Sequence, residues 1–90
     1  MTSIDVRPLG GNDYEVTVDD GDGTSRHRVR VDEAALRRYG GGNDPEALLV
    51  ASFRFLLEHE PKESILQRFE LPVIHHYFPE YEREIEGYLK

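Results

Sequence analysis

The chain contains no cysteine and no long apolar run, and both absences exclude classes of protein. Without cysteine, disulfide bonds and thiolate zinc sites are excluded, and the composition fits a reducing compartment. The longest apolar run, residues 47–51, is much too short to span a bilayer. Residues 1–5 lack the basic and then apolar pattern of a signal peptide. We therefore expect a soluble cytoplasmic protein with no membrane partner.

Sequence patterns typical of catalysis are also missing. None of Ser25, Ser52 and Ser64 lies in a G-x-S-x-G motif. The glycines at 40–42 are not followed by the lysine and the serine or threonine of a phosphate-binding loop, and no G-x-G-x-x-G pattern follows a predicted strand. We therefore expect no enzymatic activity and no cofactor.

The histidines do not have the spacing of a zinc site. Because adjacent residues point to different sides of a helix, at most one of His75 and His76 can join His59 in a site. A carboxylate such as Glu58 or Glu80 would have to complete it. Surface or core-edge positions are the favoured interpretation of these histidines, and we expect no metal.

Acidic residues outnumber basic ones, and the formal net charge is −7. The imbalance is uneven, because residues 1–43 carry −2 and residues 44–90 carry −5. Such a charge favours solubility and disfavours non-specific attraction to the phosphates of nucleic acid.

Three segments near the N-terminus alternate apolar and polar residues with period two, which predicts half-buried strands. Glycine-rich turns at 10–12 and 20–23 separate them. An antiparallel meander with these turns at its tips has apolar pairs on one face and opposite charges on the other. The predicted pairs are Ile4 with Val18, Val6 with Val16, Arg7 with Glu15, Val16 with His27, Tyr14 with Val29, Glu15 with Arg28, and Asp13 with Arg30.

The outer face of this meander carries arginines at positions that alternate along the strands. They are Arg7, Arg26, Arg28 and Arg30. This face is the alternative functional surface, for nucleic acid or another anion. No aromatic residue interleaves with the arginines, and Asp5, Asp13 and Glu15 neutralise part of their charge. A solvated face of cross-strand ion pairs is therefore the favoured interpretation.

Helix signals dominate from residue 32 onward. Asp32 is a plausible N-cap for a short helix over residues 33–39 that stops at Gly40. Asp44 and Pro45 open a second, central helix that is apolar on nearly all sides and must be covered by other elements. Pro61 ends this helix. Residues 62–69 are predicted to fold back as a further helix, which makes a helical hairpin.

Two more helices are predicted after the hairpin. Pro72 opens a short one, and Pro79 opens an amphipathic one with Tyr81, Ile85 and Tyr88 on one stripe. The two short helices within residues 61–78 have the outline of a helix-turn-helix. The second of them offers no arginine, lysine, asparagine or glutamine to base edges, so we do not expect nucleic acid to be its ligand.

Four segments of the chain together resemble a family of small uncharacterised bacterial proteins. These segments are residues 51–57, 60–66, 71–74 and 77–82. The resemblance is confined to these four segments. It implies a natural bacterial domain, and it implies no activity, cofactor or site.

The sequence thus predicts an α+β fold in a single domain of residues 1–90, with a three-stranded antiparallel meander at 1–31 and a helical part at 32–90. A short helix, a helical hairpin and C-terminal helices are expected to pack on one face of the sheet. We expect a non-catalytic module that binds another protein, and self-association stays open. The aromatic residues predicted to contact the partner are Tyr77, Phe78, Tyr81 and Tyr88.

Overall fold

A computed structural model describes residues 1–89 and has an α+β fold with one four-stranded sheet in the order β1-β2-β3-β4. The strands are β1 (Ser3–Gly10), β2 (Asp13–Asp19), β3 (Thr24–Arg30) and β4 (Arg68–Glu70). The helices are α1 (Glu33–Tyr39), α2 (Pro45–His59), α3 (Pro72–Tyr77) and α4 (Tyr81–Leu89), and a 3₁₀ turn lies at Lys62–Ser64. No helix in this part of the chain has the length and apolar character needed to cross a membrane.

The meander has the predicted antiparallel register. Ile4 lies opposite Val18, Val16 lies opposite His27, and every other predicted pair is also observed. Gly10 and Gly11 have φ angles of 113° and 58°, which explains why glycine occupies the first turn. In the second turn, the Asp19 carboxylate accepts a hydrogen bond from the backbone N–H of Gly21.

The helix starts follow the predicted capping residues. The Asp32 carboxylate accepts from the Ala35 N–H at 2.8 Å, and the Asp44 carboxylate accepts from the Ala47 N–H at the same distance. Helix α2 ends at His59, before the predicted break at Pro61. The final helix begins at Tyr81 rather than at Pro79.

The prediction that residues 62–69 form a helix, the second arm of the helical hairpin, is wrong. After the 3₁₀ turn, the chain extends and forms β4, which pairs in parallel with β3. Two long-range contacts favour the extended form: Lys62 Nζ donates to an Asp20 carboxylate oxygen at 2.8 Å, and the Arg28 N–H donates to the Gln67 carbonyl at 2.7 Å. A three-stranded meander would leave the backbone groups of the β3 edge without partners, and β4 pairs with the last three residues of that edge, Arg28 to Arg30.

The core lies between the inner face of the sheet and helix α2, and α4 packs on α2 from the far side. Helix α2 is covered on most sides, as its composition predicts. The largest fully buried side chains are Tyr81, Phe53, Phe55, Leu48, Leu49, Leu71, Ile85, Val16, Val18 and Val29.

Candidate functional site

An apolar groove of about 380 Å³ lies between the end of α2, the segment that precedes β4, and α3. Two of the residues that line it are exposed and are called its rims here: Leu66 is 47% exposed and Tyr77 is 63% exposed. Phe69 and Phe78 are half-buried and line the groove between the rims. The groove therefore presents aliphatic and aromatic surface to solvent.

The Leu66 rim is held by contacts that reach the meander. The carbonyl of Leu66 accepts a hydrogen bond from His27 Nδ1 at 2.8 Å, while Ile65 is buried in the core. Because Nδ1 of His27 carries the proton, Nε2 accepts from the Ser25 hydroxyl at 2.8 Å. Burial lowers the pKa of His27 and keeps the ring neutral near pH 7.

Lys62, a buried cation, holds the start of the same segment. Lys62 Nζ lies 2.8 Å from Asp20 in the β2–β3 turn and 2.5 Å from Glu63, and its side chain is almost fully buried. Hydrogen bonds to Asp20 and Glu63 raise the pKa of Lys62, so it stays charged. The Leu66 rim is thus attached to the meander at two points.

Tyr77 is the last residue of α3, a helix of six residues that begins at Pro72. A hydrogen bond of 3.0 Å joins His75 Nδ1 to the Tyr39 hydroxyl at the end of α1. The ring of Phe78 packs against the rings of Phe55 and His59, with centroid distances of 5.8 Å and 5.2 Å. Both walls of the groove are therefore anchored to the core.

The four aromatic residues that the sequence assigns to partner binding have different environments. Tyr77 and Phe78 lie at the groove. Tyr88 is half-buried against Phe55, at a centroid distance of 5.8 Å. Tyr81 is fully buried and hydrogen-bonded to Ser52, so its side chain does not reach the surface in this structure. The apolar stripe of α4 packs on α2 and includes Tyr81.

Strand β4 adds a further arginine to the arginine-bearing outer face of the sheet. Arg7 forms an ion pair with Glu15 at 3.0 Å, as the register predicts. Arg28 lies opposite Glu15 in the register but forms its ion pair diagonally with Asp13, at 3.2 Å. β4 places Arg68 beside Arg28 on the outer face. Within residues 1–89, no ion pair is formed by Arg26, Arg30 or Arg68. A cleft of about 560 Å³ lies beside the last two of them.

The cleft and the apolar groove are neighbours at the edge of the sheet, since they share four lining residues. These are Leu66, Phe69, Val73 and Tyr77. Sequence patterns assigned Leu66 and Phe69 to a helical hairpin and did not single out Arg68. The alternation of Arg68, Phe69 and Glu70 fits a strand, but three residues are too few to distinguish one by periodicity.

The histidines do not converge on a metal site. His59 Nδ1 donates to the Phe55 carbonyl at 2.8 Å, whereas His75 Nδ1 is hydrogen-bonded to the hydroxyl of Tyr39 in α1. Among the described residues, no group of three histidine, aspartate or glutamate side chains could hold a metal ion.

No protein-family model, curated protein or solved structure matches this chain.

Proposed function

We propose that this protein is a non-catalytic module that binds another protein through the apolar groove. One observation carries the proposal: the exposed apolar residues Leu66 and Tyr77 line the same depression. The described residues include four exposed large hydrophobic side chains, and these are two of them. The other two, Met1 and Leu9, belong to the N-terminal end and the β1 edge. Clustering of exposed apolar side chains around a depression is typical of an interaction site.

The groove has the composition of a small protein interface. Its interior is aliphatic and aromatic, while Glu60 and Ser64 contribute polar atoms at its border. Tyr77 offers a large rigid ring with a hydroxyl group, a combination that is frequent among residues that dominate binding energy.

Anchoring of the walls also supports the proposal. The Leu66 carbonyl is held by His27, and α3 is held by the hydrogen bond between His75 and Tyr39. A groove whose walls are fixed before binding loses little conformational entropy when a partner enters, and this improves affinity.

A capture experiment tests the proposal. The tagged full chain is incubated with bacterial lysate at low salt, with and without nuclease, and retained proteins are identified by mass spectrometry. The groove variant Leu66→Glu/Tyr77→Glu places two charges on the rims. The control variant Leu9→Glu makes the same change at an exposed apolar residue on β1. Circular dichroism and urea unfolding check that both variants are folded.

We expect a protein that is retained by the wild type and by Leu9→Glu but is lost with the groove variant. Equal retention by all three proteins would show that the groove is not the binding surface. Retention that disappears with nuclease would instead favour the arginine face and nucleic acid. Retention of a second copy of the chain would identify the partner as the protein itself, and its loss with the groove variant would place the contact at the groove.

A further inference from the structure

The outer edge of β4 has backbone groups that no other strand uses. The Arg28 N–H donates to the Gln67 carbonyl, and the Leu71 N–H donates to the Arg30 carbonyl. In a parallel ladder, backbone groups alternate between the two sides of a strand. The N–H and C=O groups of Arg68 and Glu70 therefore face away from β3, and no backbone partner for them exists within residues 1–89.

This edge runs between the groove and the arginine cleft, because both depressions are lined by Phe69 and by its neighbours Leu66 and Tyr77. Side chains of a strand point alternately to opposite faces of a sheet. A further strand placed beside β4 would therefore direct every second side chain to the apolar groove and the side chains between them to the cleft.

The charge of the cleft indicates which side chains it accepts. Arg28 is neutralised by Asp13, whereas Arg30 and Arg68 make no ion pair in the described part of the chain. Glu70 also lines the cleft, so three arginines face two carboxylates there. The cleft is thus locally basic in a chain of net charge −7, and it favours aspartate or glutamate.

The opposite edge of the sheet is a poorer place for an added strand. β1 contains Pro8, which has no N–H, and its register shifts between Pro8 and Gly10. A proline and a bulge are features by which proteins protect an edge from pairing. β1 lines neither the groove nor the cleft.

We infer that the occupant of the groove is an extended segment of the partner protein in which apolar residues alternate with aspartate or glutamate. The segment pairs with β4 as a fifth strand, inserts its apolar side chains between Leu66 and Tyr77, and places its carboxylates at Arg30 and Arg68. Main-chain hydrogen bonds to the strand edge provide affinity, and the two depressions provide specificity. This inference rests on the proposed function and names the class of partner.

The probe is a phage-displayed library of random 12-residue peptides, selected on the full chain and counter-selected on Leu66→Glu/Tyr77→Glu. An enriched peptide is synthesised with a fluorescein label and titrated by fluorescence anisotropy. We expect enriched peptides with apolar residues at alternate positions and acidic residues between them. Absence of enrichment, or enrichment of basic peptides, would overturn the inference. If the capture experiment nevertheless retained a protein on the wild type and lost it with the groove variant, the proposed function would still stand.

Variants of Arg68 separate its charge from its backbone donor. Arg68→Ala removes the charge, and we expect the Kd for the labelled peptide to rise about three- to tenfold. Arg68→Pro removes the charge and also the N–H that faces away from β3, and it leaves the hydrogen bonds to β3 intact. We expect the Kd for this variant to be about tenfold higher again than for Arg68→Ala. Arg7→Ala removes an arginine from the opposite edge of the same face and should leave Kd unchanged. Equal effects of Arg7→Ala and Arg68→Ala would contradict a local contact.

Backbone methylation of the peptide gives a second test that does not depend on the folding of Arg68→Pro. Peptides carrying one N-methyl group at each position in turn are titrated against the wild type. Pairing with β4 predicts that methylation at every second position within the bound stretch abolishes binding, while methylation between those positions has little effect. A pattern without period two would overturn the fifth-strand geometry.

Discussion

The hydroxyl oxygen of Tyr81 lies 2.6 Å from Ser52 Oγ, and this contact joins the first residue of α4 to the middle of α2. Ser52 donates its own proton to the Leu48 carbonyl at 2.7 Å, so its oxygen accepts from the Tyr81 hydroxyl. Tyr81 is fully buried, and burial raises the pKa of its phenol. α4 is therefore a part of the core, and its packing leaves α3 and β4 to form the exposed apolar surface.

Removing the acceptor of this hydrogen bond should lower the free energy of unfolding more than removing its donor. Ser52→Ala leaves the Tyr81 hydroxyl buried without an acceptor, and we expect it to lower the free energy of unfolding by about 1–3 kcal/mol. Tyr81→Phe removes the donor and leaves Ser52 bonded to Leu48, so about 0.5–1.5 kcal/mol is expected. Urea unfolding measures both, with the exposed Tyr77→Phe as the control. If Ser52→Ala were as stable as the wild type, the contact would have no energetic role.

Phe53→Ala should destabilise the protein strongly. Its ring is fully buried and packs against the rings of His27 and Phe69, with centroid distances of 5.2 Å and 6.2 Å. We expect a loss of about 3–5 kcal/mol, which is a large part of the total stability of a small domain. Leu66→Ala at the groove rim should cost less than about 0.5 kcal/mol, because surface substitutions seldom cost more. Equal losses in urea unfolding would contradict the assignment of Leu66 to the surface.

His27 should make stability depend on pH in the mildly acidic range. Burial lowers its pKa in the folded protein, so the unfolded chain binds the proton more readily. The stability that the neutral ring contributes is complete above the ordinary histidine pKa of about 6.5 and is lost as pH falls towards the folded value. Urea unfolding at pH 7.5, 6.5 and 5.5 should show a decrease for the wild type and a smaller one for His27→Gln. Parallel curves for the two proteins would exclude His27 as the cause.

Lys62→Met should lower stability at pH 7 and flatten its dependence on pH below about 4. Hydrogen bonds from Lys62 lower the pKa of Asp20 and of Glu63. The stability associated with these carboxylates is present above their ordinary pKa values of about 4 and is lost as pH falls through the lowered folded values. Unfolding in urea at pH 7, 4 and 3 measures the effect, with the exposed Arg83→Met as the control. An equally steep loss in Lys62→Met would assign it to other groups.

Local signals were sufficient to predict much of the fold from the sequence. The register of the meander follows from period-two alternation, as in the pairing of Val16 with His27, and the caps Asp32 and Asp44 fix the starts of α1 and α2. β4 could not be found in the same way, because three residues are too few for a periodic signal. Its strand form is decided by the β3 edge and by the contact between Lys62 and Asp20.

The site was predicted less completely for a related reason. An amphipathic stripe shows which face of a helix is apolar but not what covers it, and α2 covers the stripe that includes Tyr81. The sequence singled out Tyr77 and Phe78, which line the groove, whereas the positions of Leu66 and Arg68 depend on where β4 lies. The groove is produced by tertiary packing and has no motif of its own.

The pairing of β4 with β3 joins residues such as Arg28 and Arg68, which are 40 positions apart in the sequence. The meander can form from local contacts as soon as it has been synthesised, but this pairing requires a long loop to close, and such contacts form slowly. Both rims of the groove also come from the part of the chain that leaves the ribosome after the meander. We expect the groove to be assembled last, so a partner that binds there would recognise only chains that have finished folding.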